Sequence, residues 1–431
     1  MARRPDGTLP HKLPRRRDLV GGYRMLNNAK VTHQGIVQDH QVSCLERLSG
    51  FTGKVLLLHD TTVLDYSGLD IAEMGQVGDG HGRGFYAHNS LAIIPRTREV
   101  VGLFNQILHR RAKVAKGETK KQLAAREDRE SRLWKQAVID LPALPGGIEL
   151  IDVSDRGSDI SEYIAHELQA GRRFIVRSGH NRVTVDDQGQ REVQKLHDQL
   201  RGLGPMGSYQ LQRVPAEGGG WTEATIGLAW QRVRLLPPRQ ARGEHDSEPM
   251  ALWALIARQT DAPAGQDPIE WILLSNQRVE SFEQARETVD DYACRWMIED
   301  YHKGMKTGCG IEQLQMTTAH GLSNTVAILS VLAVHLLRLR CNARNEQMQH
   351  QPARLHEEQL KVQLAARDSN HANWRTMTVW EFHVAVARMG GYQLNPQKRP
   401  PGWLILWRGY IRLEDMCAGV RLWNEKRCVQ T

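Results

Sequence analysis

The sequence predicts an α/β protein, and three observations carry that expectation. Two apolar runs of strand length, 54–59 and 148–153, each lead directly into or just before an acid, Asp60 and Asp155. A hairpin pattern follows the first run, and helical and strand periods alternate after the second. A strongly helical stretch, 281–303, then carries a third acid, Glu299.

Taken in order, residues 1–20 are basic, contain three prolines and lack apolar periodicity, which predicts a disordered arm. Residues 19–48 show helical spacing, with Tyr23, Met25 and Leu26 in one cluster. Ile36, Val37, Val42, Cys44 and Leu45 form another beyond the turn-prone Asn27-Asn28. The run 54–59 reads as a buried strand. A glycine-rich stretch, 75–84, precedes two runs, 91–94 and 100–104, that read as a hairpin around Arg96-Thr97-Arg98-Glu99. Residues 110–138 predict a long, mostly exposed helix with Leu123, Leu133, Trp134 and Val138 as a sparse apolar stripe. A strand at 148–153, a helix at 158–168 and a strand at 174–176 follow. This succession is the order of a ribonuclease-H-like core, which would set Asp60 and Asp155 side by side at strand ends.

The remainder is expected to elaborate that core. Short β-type runs at 209–214, 224–230, 233–236 and 252–257 predict a β-rich insertion at about 178–270. Ser281-x-x-Gln284 has the pattern of a helix-opening capping box, and 324–339 is the most apolar helical stretch. A final helical block, 378–423, is interrupted by Asn395-Pro396 and Pro400-Pro401-Gly402. The expected division is a partial N-terminal DNA-binding segment at 1–50, a catalytic domain at 51–345 and a C-terminal helical domain at 346–431. In that last block Trp403, Trp407, Leu413, Met416 and Val420 recur at near-helical spacing, compatible with a dimer contact or an internal core.

Composition narrows the function. The 431 residues are 40% hydrophobic and 25% charged, as in ordinary globular proteins. No run of eighteen apolar residues and no signal-peptide core is present, so a cytoplasmic location is expected. Six cysteines without a C-x-x-C pair argue against structural zinc and a disulfide framework, and for packed, reduced thiols. The net charge of +8 points to an anionic partner such as nucleic acid. Within residues 1–30 eight cationic side chains face only Asp6 and Asp18. Such an arm predicts salt-dependent phosphate contacts with weak preference for particular DNA ends.

Tyr292, Arg295, Glu299 and Lys306 fall within about 60° of one another on a helix turning about 100° per residue. One helix face would show a phenol, a guanidinium, a carboxylate and an ammonium, though a solvated charged face has the same pattern. Other motifs fail. Gly78 to Gly84 lacks the context of a dinucleotide loop, and His166-Glu167 and His356-Glu357 lack the second histidine of a zinc-protease helix. His59, His88 and His302 read as structural neighbours of the motifs. Asp60 could equally make a strand-end turn, and Asp155 could cap the next helix.

The run Tyr292-x-x-Arg295-x-x-x-Glu299-x-x-x-x-x-x-Lys306 resembles the Tyr-Arg-Glu-Lys signature of cut-and-paste DDE transposases of insertion-sequence family four. Asp60-Thr61-Thr62 and Asp155-Arg156-x-x-Asp159 are similar to the first and second aspartate motifs of that family. Gly78 to Ser90, Pro401-Gly402-Trp403 and Leu406-Trp407-Arg408-Gly409 are also similar, so the resemblance spans about residues 20–425. It implies that Asp60, Asp155 and Glu299 are catalytic and hold Mg²⁺ or Mn²⁺, two ions per site, because phosphoryl transfer uses hard cations on oxygen ligands. It implies that Tyr292, Arg295 and Lys306 hold DNA phosphate and that Trp271 receives a flipped base. Asp159 is expected to be structural. The implied partners are inverted-repeat ends, target DNA and a second copy of the chain. The alternative is a chain that keeps the fold but only binds DNA or acts as an inhibitor.

Overall fold

The computed structural model describes residues 1, 7–112, 117–119, 122, 126, 128–139, 141–215, 221–238, 248–344, 350, 377–393 and 401–427. They form a mixed α/β structure around one ten-stranded sheet. Its hub is β1 (Gly53–Asp65). Antiparallel to it runs β3 (Gly82–Ile94), which also pairs with β2 (Gly75–Val77) and β4 (Glu99–His109). On the other side β5 (Ile148–Ser154) and β6 (Arg173–Arg177) follow in parallel. The sheet then continues antiparallel through β10 (Glu270–Ser275), β9 (Met250–Gln259), β8 (Trp221–Leu235) and β7 (Gly207–Pro215). The expected β-rich insertion is therefore an extension of the same sheet. The two runs read at 224–230 and 233–236 are one strand, β8.

The apolar run of β1 is continuous because both faces of this central strand are covered. Leu56 and Leu58, with Ile151, Val153, Ile175 and Leu273 on neighbouring strands, enter the main core. Val55 and Leu57 turn to the opposite face and meet Cys44, Leu48, Val101 and Phe104. The main-core face is covered by the helices Phe282–Ala293, Trp296–Lys303 and Ala319–Arg344. The last is apolar enough to cross a membrane over residues 319–338, yet 72% of its most apolar window is packed inside the protein. In the C-terminal block the helices Val379–Met389 and Trp403–Arg427 cross closely. A Cβ on Gly409 would stand 1.7 Å from the Val386 carbonyl oxygen, and one on Gly390 would stand 1.9 Å from that of Ile405. Only glycine admits this crossing.

Two expectations are corrected. Residues 7–20 are ordered: Leu9 lies in the main core and the Lys12 ammonium donates to the Cys309 carbonyl at 2.8 Å. Two side chains anchoring through tertiary contacts leave no periodic trace in so short a segment. Among the described residues of 110–138, the expected long exposed helix gives way at 130–139 to a 3₁₀ turn, Glu130–Arg132, and a short helix, Leu133–Ile139. Its Leu133, Trp134 and Val138 are buried, with Trp134 edge-on to His88 at 4.8 Å, while Leu123 lies outside the described residues. Cys44, Cys294, Cys309 and Cys417 are buried free thiols and Cys341 is half-buried; Cys428 lies outside the described residues.

Candidate active site

Strand parity places the two aspartates. Side chains alternate along a strand, so Asp60 shares the face of Leu56 and Leu58, and Asp155 that of Ile151 and Val153. The parallel register pairs Leu56 with Ile151 and ends at His59 with Ser154. One step further along both chains stand Asp60 and Asp155, on strands about 4.8 Å apart.

Glu299 comes from the helix Trp296–Lys303 over this face, and Arg295 ties it to the sheet. Arg295 Nη2 donates to Glu299 Oε1 at 2.7 Å, and its Nη1 lies 3.7 Å from Asp60 Oδ2. Asp60 Oδ1 accepts the Thr61 N–H at 2.8 Å. Burial pushes the Asp60 carboxyl up to about 6, and the negative charges of Asp155 and Glu299 add to this, against the pull of Thr61 and Arg295. Asp155 also does the capping job read as its alternative, accepting the Gly157 N–H at 2.8 Å.

Tyr292 and Trp271 border the acids. Trp271 is half-buried on β10 and meets Tyr292 edge-on at 5.1 Å. The Tyr292 hydroxyl is buried without a well-formed hydrogen bond, with the guanidinium groups of Arg177 and Arg295 beside it. Burial raises its pKa, and the two cations oppose that. Lys306 is set apart. Helical periodicity changes to a π turn at Gly304–Gly308, and Lys306 Nζ pairs with Glu312 at 3.3 Å. The helix face read at 100° per residue thus holds for Tyr292, Arg295 and Glu299, which the sheet acids meet, while Lys306 is held by a different partner.

Two neighbours, Arg177 and Asn89, were not singled out in the sequence, and His302 was read there only as a structural neighbour of the motifs. Arg177 follows Ile175 in parity and comes to Tyr292. His302 Nδ1 lies 3.9 Å from Asp60 Oδ2, and Asn89 contacts the other ring nitrogen. Their signal was present only as cross-strand and helix–strand pairing. His59 is structural as expected, bridging Ser90 and Asp152 at 3.0 and 2.9 Å. Asp159 is too: it is fully buried and accepts from Gly179, His180 and Arg182.

The acids suit a hard divalent cation in chemistry, being all oxygen, and their mutual repulsion is what such an ion relieves. They are not a preformed cage. Among the described residues no group of three His, Cys, Asp or Glu side chains is placed to hold a metal ion. The positive charge between Asp60 and Glu299 is the guanidinium of Arg295. No protein-family model matches this chain.

Proposed function

We propose that this chain is a DNA transposase of the DDE type, cutting and joining DNA by metal-dependent phosphoryl transfer. The observation that carries the proposal is the approach of Asp60, Asp155 and Glu299 to one face, with the Asp60 carboxyl raised first by burial and then by the charges of the other two. The strand order β4-β3-β1-β5-β6, parallel across β1, β5 and β6, supports a ribonuclease-H-like core. The ring contact of Trp271 with Tyr292 supports the resemblance at the base- and phosphate-binding positions.

In this reading Asp60, Asp155 and Glu299 would hold Mg²⁺ or Mn²⁺, which supplies activation of the attacking oxygen and stabilises the leaving one. Arg295, now on Glu299, is placed to turn to a phosphate, for which its planar fork is suited. Tyr292 offers its unsatisfied hydroxyl beside it. Lys306 would add a point charge once Glu312 releases it. Trp271 offers a half-exposed ring for an unpaired base. A homodimer holding two element ends, acting in the cytoplasm, completes the proposal.

Asp60→Asn, Asp155→Asn and Glu299→Gln are each expected to abolish Mg²⁺-dependent cleavage while gel-shift binding of DNA persists. A variant that cuts near the wild-type rate removes that residue from the site. A wild-type chain that binds DNA and never cuts it leaves the DNA-binding or inhibitory alternative.

A further inference from the structure

A chain of side-chain amides behind the candidate site fixes the proton of one histidine. Asn89 Nδ2 lies 3.0 Å from the Ala87 carbonyl oxygen and 3.0 Å from His302 Nε2. Its Oδ1 accepts from Gln106 Nε2 at 2.7 Å, and that nitrogen also donates to Ser330 Oγ at 2.9 Å. The backbone carbonyl can only accept, so the Asn89 atom facing it is the amide nitrogen; a flipped amide would set two oxygens against each other. Its second hydrogen then goes to His302 Nε2. A ring nitrogen that accepts carries no proton, so the His302 proton is on Nδ1, the atom 3.9 Å from Asp60 Oδ2.

The consequence concerns which ion the site takes. Imidazole binds metals through an unprotonated nitrogen, and a histidine beside carboxylates favours Zn²⁺ and its neighbours over Mg²⁺. Here the lone pair of His302 is turned away from Asp60 and occupied by Asn89. We propose that Asn89 is a metal-specificity residue: by holding His302 as the Nδ1–H tautomer, it keeps the Asp60 site all-oxygen and hence selective for hard divalent cations. His302 is thereby a positioning residue that presents a donor to Asp60 instead of a ligand. The inference rests on Asp60 being a cation ligand, as the transposase reading has it.

Asn89→Asp inverts the polarity. A carboxylate at 89 accepts from Nε2 and frees the Nδ1 lone pair toward Asp60, as in carboxylate–histidine–zinc arrangements. Nitrogen-15 spectra of the DNA-free, metal-free protein should show His302 protonated on Nδ1 in the wild type and on Nε2 in Asn89→Asp. The His302 signal is assigned by its loss in His302→Asn, or by its contact with the Asn89 amide protons if that variant does not fold. Co²⁺ absorption and Mn²⁺ resonance titrations should show the Co²⁺-over-Mn²⁺ preference rising roughly tenfold to a hundredfold in Asn89→Asp. Adding His302→Asn to that variant should remove the gain. A wild-type ring protonated on Nε2 overturns the proposal by itself, whether or not any variant folds. A tautomer that inverts without changing the metal preference also overturns it. A protein that meets these expectations yet never cuts DNA retains the inference and loses the transposase reading.

Discussion

Arg295 and Glu299 form a hydrogen-bonded ion pair, Nη2 to Oε1 at 2.7 Å, one helical turn apart and directly over Asp60. Two of the three carboxylates that would hold a cation, Asp60 and Glu299, are thus already in reach of a competing one. A unit charge at about 4 Å is worth between about 1 kcal/mol in water and about 4 kcal/mol at an effective dielectric near 20. Arg295→Gln is therefore expected to bind Mn²⁺ about tenfold or more tightly in the absence of DNA, and, on the transposase proposal, to cut DNA poorly because the proposed phosphate clamp is gone. Calorimetry of the DNA-free protein decides it. Unchanged or weaker Mn²⁺ binding would mean that Arg295 holds the acids in place instead of competing for them.

Asp60 gives a pH signature with a definite sign. Burial first, and then Asp155, raise its carboxyl from 3.8 to about 6. A raised carboxyl contributes stability that is complete below about pH 4 and lost as pH rises through about 6. The ceiling is about 3 kcal/mol for two pKa units. In chelator, Asp60→Asn should melt higher than the wild type at pH 8, and the difference should shrink at pH 4. A variant that melts lower at pH 8 would show that the attraction of Arg295 outweighs burial.

What could be read from the sequence was whatever depended on strand parity or a regular helical turn. Asp60 and Asp155 were legible because each follows an apolar run whose alternation sets the acid's face. Tyr292, Arg295 and Glu299 were legible because the backbone stays right-handed helical through Cys294 and Arg295, where the two helices meet. Lys306 was misplaced because a π turn departs from the assumed 3.6-residue period. Arg177 was missed, and His302 was read as a structural neighbour without its contact to Asp60, because their site neighbours, Tyr292 and Asp60, are more than a hundred residues away in sequence. The N-terminal arm was misread for the same reason: the partner of Lys12 is the carbonyl of Cys309.

Lys306 yields a test of its own. Glu312 holds its ammonium at 3.3 Å and also accepts the Asp65 N–H at 3.1 Å. Glu312→Gln keeps an acceptor for Asp65 and removes the charge that occupies Lys306. Half-exposed pairs of this kind are worth about 0.2–1 kcal/mol, so DNA affinity should rise by roughly two- to fivefold at low salt. The gain should vanish in Glu312→Gln combined with Lys306→Ala, measured by fluorescence anisotropy. A gain that survives the double change would come from general loss of negative charge.

On the transposase proposal, Trp271 carries the prediction about how DNA leaves its donor site. With one active site per end, both strands can be freed if the first 3′ hydroxyl attacks the opposite strand and closes a hairpin. A tight hairpin strains its terminal bases, and ejecting one onto an aromatic ring relieves that strain. The Trp271 ring is half-buried and braced edge-on by Tyr292 at 5.1 Å, so it is oriented before any base arrives. Base–aromatic stacking is worth about 1–3 kcal/mol, roughly a five- to hundredfold effect on rate. Trp271→Ala should nick DNA at the wild-type rate and accumulate the nicked species, with hairpin closure slowed by that factor. Trp271→Phe should recover much of it, because Phe still fills the space against Tyr292. The ring is also part of the main core's edge, so thermal melting of Trp271→Ala must accompany the kinetics. If that variant is folded and closes hairpins at full rate, the base goes to another aromatic; if it nicks as slowly as it closes hairpins, Trp271 serves the site only by holding Tyr292.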